Sequence, residues 1–470
     1  MILKKYIGDK AFYRRVVLIT LPILVQNIIT NFVSLLDNVM VGLVGTEEMS
    51  GVAIVNQLIF VFNLFIFGAI SGAGIFTAQF FGKKDDEGVR QTFRVKMLLV
   101  SAITVLTLAV FGVWGGSLVK LFLHEGHEQI DMEATFRFAE EYLRIIMIGL
   151  PPFAVMQAYS DTLRSTDKTV LPMKASIAAI FINVTLNYVL IYGKFGFPRL
   201  SVAGAAIATI IARYAECAIV VISTHVRKKD NPFIVGAYRH FHIKGSLMAA
   251  IAKKGLPLMA NELLWALGTT VVVQAYSTRG LEAVSAQNIC STVSNLFFCA
   301  FFAFGNSISI MIGQLLGAGE LERARDEDRK MIFTCIVTCA VVGAVMALLA
   351  PLIPQIYNTL DSVKKLAGEF LVISAVLMPI SGFTNASYFT LRSGGKTFIT
   401  FLFDSVFVWV VSIPVSYCLS RFTDMPILPL FACVQSLEII KAVIGFIMLK
   451  SGIWLNNLTV TENNDIVENV

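Results

Sequence analysis

Charge is what this chain has least of: 15% of its 470 residues are Asp, Glu, Lys or Arg, where soluble domains carry about a quarter. A sequence so poor in charge cannot coat a water-facing globule, which excludes a soluble fold. Histidine is rarer still, with five in the chain. No His-Glu-x-x-His helix can be drawn from them, which removes the zinc hydrolases. His124 and His127, beside Glu125 and Glu128, read as a solvated loop rather than a metal site. The seven cysteines (Cys217, Cys290, Cys299, Cys335, Cys339, Cys418 and Cys433) contain no Cys-x-x-Cys pair and fall in apolar runs. They are expected to pack as small apolar residues, not to form a disulfide framework. Gly-x-Ser-x-Gly, the Walker-type Gly-x-x-x-x-Gly-Lys-Ser/Thr and a protease-type pair of membrane aspartates are absent too. An intramembrane enzyme and an ATP-driven pump lose their signatures together.

What is abundant is apolar: 56% of the residues. Runs of about 20 such residues, enough to cross roughly 30 Å of hydrocarbon, begin near Val16, Val52, Val95, Tyr142, Val170, Val202, Gly255, Val284, Met331, Phe370, Phe398 and Ile427. The expected fold is an all-α membrane protein of twelve spans. These spans repeat. At an offset of 235, Pro22 falls on Pro257, Gly45 on Gly280, Gln79 on Gln314 and Gly82 on Gly317; at 228, Thr162-Leu163-Arg164-Ser165 falls on Thr390-Leu391-Arg392-Ser393. Six spans per repeat return each half to the side where it began, so the halves are two pseudo-symmetric six-helix bundles of like topology. Duplicated membrane chains of this kind place substrate near the bilayer midplane, which points to a transporter.

Lysine and arginine crowd alternate connections: Lys4, Lys5, Lys10, Arg14 and Arg15 at the amino end, Lys83, Lys84, Arg90, Arg94 and Lys96 in the second, Arg227 to Lys254 in the sixth. Positive residues stay in the cytoplasm, so both termini are expected there. The opposite connections, such as Thr46-Glu47-Glu48, are acidic or nearly neutral. The net charge of +6 is therefore topology and not a nucleic-acid footprint. The first span is too long for a signal-peptide core and is read as retained. The expected domains are an amino-terminal lobe over 1–226, a basic cytoplasmic linker over 227–252, a carboxyl-terminal lobe over 253–455 and a polar tail over 456–470.

Polar groups inside spans are costly to insert and usually face a cavity. In the first span Gln26, Thr30, Ser34 and Asp37 recur at helical spacing, with Asn27 beside them. Asp37 is the leading candidate to exchange H⁺ or Na⁺, unless it merely sits at the outer headgroups. Pro22 deletes a backbone hydrogen bond in the same helix and offers a hinge. Asn183 and Asn187, four apart in the fifth span, face one way; their amides either coordinate a cation or join helices. Asn261, Glu262, Trp265 and Thr269 form a stripe in the seventh span suited to an organic cation, or to the membrane interface. Arg213 with Glu216 and Glu438 with Lys441 are candidate intramembrane ion pairs, each three residues apart. Their structural reading competes with contact to an anionic substrate or lipid.

Four segments carry a resemblance: Asn183-x-x-Leu186-Asn187-Tyr188, Leu163-Arg164-Ser165 followed by Asp167, Gly204-Ala205-Ala206-x-Ala208-Thr209, and Gly313-Gln314-x-x-Gly317. In that order, over residues 12–455 of a duplicated twelve-span chain, the sequence resembles the multidrug and toxic compound extrusion family of bacteria. The resemblance implies a V-shaped pair of bundles and a secondary antiporter in the cytoplasmic membrane. It would expel organic cations or amphiphiles for H⁺ or Na⁺, with no cofactor, no nucleic-acid partner and a functional monomer. It also implies that Asp37, Asn183, Asn187 and Thr209 line an amino-lobe cation site, with Pro22 as the bending point of the first helix; the span residues Gln26, Asn27, Ser34, Asn261, Glu262 and Trp265 are the candidates to line a substrate cavity. The pattern is not complete. Many relatives have a second carboxylate where this chain has Asn187, and Lys396 is the nearest counterpart of a tenth-span acid used by one branch. A flippase of lipid-linked saccharide, or an exporter of anionic amphiphiles, is the alternative within the same architecture.

Overall fold

A computed structural model describes residues 5–123, 131–239 and 243–460, the side chains of 33–35 and 38–39 excepted. His124, Glu125, His127, Glu128 and the side chain of Ser34 lie outside the described residues. Twelve helices among the described residues are long and apolar enough to cross a membrane, and none of these residues is in a strand. They are α1 (Lys10–Gly42), α2 (Thr46–Gly82), α3 (Asp86–Lys120), α4 (Met132–Ser165), α5 (Val170–Tyr192), α6 (Ser201–Val226), α7 (Gly245–Arg279), α8 (Leu281–Gly317), α9 (Leu321–Leu349), α10 (Asp361–Ser393), α11 (Thr397–Phe422) and α12 (Ile427–Ser451). At 1.5 Å per residue, the 37 residues of α2 reach roughly 55 Å, well beyond the hydrocarbon. Large apolar side chains such as Val105, Leu106, Val113 and Trp114 are exposed, as expected of helices solvated by lipid and not by water.

The chain separates into two compact units. The amino unit comprises Val25–Thr77 and Asp86–Ala249; the carboxyl unit comprises Met1–Leu24, Ala78–Asp85 and Ala250–Val470. The division within α1 falls two residues beyond Pro22, which lies inside the continuous helix.

In the amino unit Val52, Val55, Tyr142, Ile146, Ile191, Val202 and Ala206 build one core. Here α5 and α6 approach closely because α6 opens on small residues. A Cβ on Gly204 would come within 2.7 Å of the Leu190 backbone, and Ala206 and Ala208 are fully buried. Small residues at such crossings let backbones touch where hydrophobic burial drives nothing. Part of the basic linker also belongs to this unit. Arg94 donates to the carbonyls of Gly236 and Ala237, Lys168 donates to Asn231, and the Tyr159 and Tyr238 hydroxyls share a bond at 2.6 Å.

The carboxyl unit is built on Tyr276, Ile289, Val293, Leu371 and a stacked pair, Phe370 on Phe431, with ring centroids 4.2 Å apart. Two local features set this unit apart. From Leu402 to Val406 and again from Val408 to Ser412, α11 winds as a π-helix. Its widening has a visible cause: the Asn261 side-chain oxygen accepts from the Ser405 backbone N–H, while the Ser405 hydroxyl donates to the Asn261 carbonyl at 2.7 Å. A side chain has entered the backbone ladder. The second feature is a reciprocal contact of repeat-related residues. A Cβ on Gly82 would lie 1.8 Å from the Gln314 carbonyl oxygen, and one on Gly317 would lie 1.9 Å from that of Gln79. Backbone cannot yield as a side chain does. Gly317→Ala is therefore expected to destabilise by about 3 kcal/mol or more, and Gly82→Ala by a similar amount. Thermal melting of the detergent-solubilised protein checks both; two unshifted curves would refute the packing argument.

Beyond α12 the chain folds back on the same unit. Trp454 and Thr459 are buried, and the Leu458 N–H donates to the Gln79 side chain at 2.7 Å.

Candidate functional site

Three helices of the amino unit bring Asp37, Asn187, Asn183 and Thr209 into one hydrogen-bonded chain. Asn187 Nδ2 donates to Asp37 Oδ1 at 2.6 Å and lies 3.2 Å from Asn183 Oδ1; Asn183 Nδ2 donates to Thr209 Oγ1 at 3.3 Å. Helical spacing explains the line: Asn183 and Asn187 are one turn apart on α5, facing the polar stripe of α1 on one side and the first turns of α6 on the other. Asn187 is 1% exposed, and its Oδ1 has no hydrogen-bond partner. A buried, unpartnered carbonyl oxygen beside a carboxylate is costly on its own and is satisfied by a cation or a proton donor. The four residues thus offer one negative charge and neutral oxygens, a donor set for a hard monovalent cation or for a proton on Asp37.

Deeper in the same unit lies a second polar network. Arg164 Nη2 donates to Gln26 Oε1 at 2.7 Å, Gln26 Nε2 donates to Ser176 Oγ at 2.6 Å, and Ser176 in turn donates to Glu216. Next to it Lys96, wholly buried, holds Asp161 Oδ2 at 2.7 Å and donates to Thr162 Oγ1 at 3.1 Å. Lys96, expected in the basic cytoplasmic connection, is thus a buried member of α3. Arg213 and Glu216 do not pair with each other. Arg213 instead lies over the Phe153 ring, 5.1 Å from its centre, with Nη1 unbonded, while Glu216 takes the Ser176 hydroxyl. Three residues' separation on a helix permits an ion pair but does not enforce one when better partners stand on neighbouring helices.

The carboxyl unit has an equivalent network with different chemistry. Lys441 Nζ meets Asp404 Oδ1 at 2.5 Å and Glu438 Oε1 at 3.8 Å, and Asn261 Nδ2 donates to Asp404 Oδ2 at 3.1 Å. Glu438 accepts from Thr384 at 2.9 Å. Glu262 bonds the Asn261 side chain and lies within electrostatic reach of Arg392 and Asp404. Trp265 stands exposed on α7, and Asn27 is half-buried on α1. Asp404, like Asp161, is a residue that sequence reasoning missed, although a charge seven residues into a span was there to be counted.

The repeat offsets relate the two networks. Gln26 corresponds to Asn261, Arg164 to Arg392, Ser176 to Asp404 and Arg213 to Lys441. The Asp37 chain has no such echo: Asp37, Asn183, Asn187 and Thr209 fall on Val272, Val411, Val415 and Leu437. That oxygen cluster belongs to one repeat alone.

The MatE family model matches the chain twice, over residues 22–189 and 257–418, one match for each repeat. The chain is similar to a probable multidrug resistance protein NorM of Thermotoga maritima, 24% identical over 458 residues, 95% of this chain and 94% of that one. A second relative, the probable multidrug resistance protein YoeA of Bacillus subtilis, is 23% identical over 417 residues, covering 88% and 89%. Among solved structures, the outward-facing conformation of a multidrug resistance MATE family transporter of the MOP superfamily superposes with a TM-score of 0.84 at 16% identity. The superposition covers 96% of this chain and 98% of that one.

Proposed function

The chain belongs to the MatE family of multi-pass membrane transporters, and from that premise we propose that it is a cation-coupled efflux antiporter for organic cations and amphiphiles. The observation that carries the reading is the Asp37–Asn187–Asn183–Thr209 chain, with its buried unpartnered oxygen. In the outward-open state Asp37 takes H⁺ or Na⁺; the altered charge draws α1 toward α5, with Pro22 as the bending point, and the cavity of the amino unit releases its substrate. Return of the ion to the cytoplasm resets the cycle. An inward-negative potential contributes about 2.3 kcal/mol per charge per 100 mV, enough for roughly fifty-fold accumulation at full coupling. Ion and substrate must favour different states, since a ligand of equal affinity for both shifts nothing.

The relatives' names support multidrug substrates, and their bacterial sources support the plasma membrane. The arginine and lysine census supports cytoplasmic termini. Export of lipid-linked phosphates is less well served: Lys441, one of the two buried cations that would meet phosphate, already has Asp404 and Glu438 as partners.

The test is uptake of a fluorescent organic cation into inside-out membrane vesicles under an imposed pH or Na⁺ gradient. One of the two gradients is expected to drive it and so to name the coupling ion. Folded protein that responds to neither would overturn the reading.

A further inference from the structure

The carboxyl unit places a buried ammonium where a ligand could sit. Lys441 is 7% exposed. Its Nζ lies 2.5 Å from Asp404 Oδ1, 3.8 Å from Glu438 Oε1 and 5.4 Å from the centre of the Phe403 ring. The carboxylate is presented by the π-helical stretch of α11, a local geometry that recurs at functional sites, and its other oxygen is held by Asn261. Glu438 from α12 and Asp404 from α11 face Lys441; Tyr388 from α10 and Glu262 from α7 lie within electrostatic reach of Asp404, and Arg392 from α10 within reach of both of them. Three acids face two bases, so the cluster retains one excess negative charge. A carboxylate with an aromatic face beside it suits an organic ammonium better than a bare metal ion, which would want more oxygens.

We propose that Asp404 is an exchangeable site for organic cations, with the Lys441 ammonium as its tethered occupant. The incoming cation takes the Asp404 carboxylate and the Phe403 face; Lys441 leaves as the neutral amine and its proton passes to water. One positive charge enters and one leaves, so the buried charge is unchanged and no further desolvation cost arises. A neutral Ser176 stands at the equivalent place in the amino unit, so the exchange belongs to the carboxyl unit alone. The inference rests on the reading that organic cations are substrates.

Since binding releases a proton, apparent affinity rises tenfold per pH unit. Tetraphenylphosphonium, which has no proton of its own, is the probe. Its binding to the purified full chain is followed by titration calorimetry in buffers of different ionisation enthalpy, which counts protons released per cation bound. In an Asp37→Asn background, which removes exchange at Asp37, the count is expected to stay near one. It should fall to zero in Lys441→Gln. Arginine does not give up its proton, so Lys441→Arg, which keeps the charge and guards against misfolding, should weaken binding at least tenfold, as should Asp404→Asn. Binding without proton release in the Asp37→Asn protein, or release that persists in Lys441→Gln, would overturn the exchange while leaving organic-cation transport intact. No binding to the folded wild type would take down both.

Discussion

Asp37→Asn is expected to abolish gradient-driven accumulation, bringing the vesicle-to-medium ratio of a fluorescent cation down to one while the protein remains folded. The substitution is nearly isosteric. Asparagine keeps an oxygen where Asp37 Oδ1 accepts from Asn187, so the chain through Asn183 to Thr209 can persist and stability should change by about 1 kcal/mol. What disappears is the charge. Neither a proton nor Na⁺ then gains anything by entering, and the roughly fifty-fold accumulation that 100 mV can sustain has no carrier. Asp37→Glu should restore a carboxylate displaced by one methylene and recover part of the transport. Asn187→Leu keeps Asp37 but removes its partner and the free oxygen, and should weaken coupling less than Asp37→Asn. Accumulation above a tenth of the wild-type level in Asp37→Asn would move the coupling site elsewhere, with Glu262 and Asp404 the next carboxylates to test.

The second large effect concerns stability. Lys96→Met should lower the melting temperature by roughly 3–5 °C, because it strands Asp161 beside a fully buried position. The Lys96 side chain is 0% exposed and that of Asp161 28%. Breaking such a pair from one side costs about 3–5 kcal/mol, mostly the penalty of the charge left behind, while removing both ends is often neutral. The partial exposure of Asp161 puts the expected loss at the lower end. Asp161→Asn added to Lys96→Met should therefore regain most of the lost stability. If the double variant melts below the single one, the pair is not what holds α3 to α4 at this level.

These two sites also mark how far sequence reasoning reaches. Twelve spans were legible because hydropathy sums over some twenty residues, so that single errors cancel. The repeat was legible because dozens of positions share one offset. Asn183 and Asn187 could be placed on one face because helical spacing sets residues four apart together, whereas their grouping with Asp37 was implied by the family resemblance and not by spacing. Asp404 has only Thr400 as a polar neighbour one turn away on its own helix, and no charge of opposite sign there. Its partners stand 143 and 37 residues distant, at Asn261 and Lys441. The Lys96–Asp161 pair is hidden for the same reason, and a lysine near a span end reads as a topology signal until a partner is seen. Arg213 and Glu216 show the reverse error, a spacing that invites a pair which tertiary contacts divert to Phe153 and Ser176.

Gly82 and Gly317 meet each other's helices through like atoms, each facing the carbonyl of the glutamine three residues before the other. Such a contact is what two like copies make about a two-fold axis: a residue near the axis touches its twin. In one chain the two sides are encoded separately and can differ. Both remain glycine, while the oxygens around Asp37 have valine and leucine counterparts. The two repeats are thus unlike in the chemistry of their spans but alike where these two glycines pack.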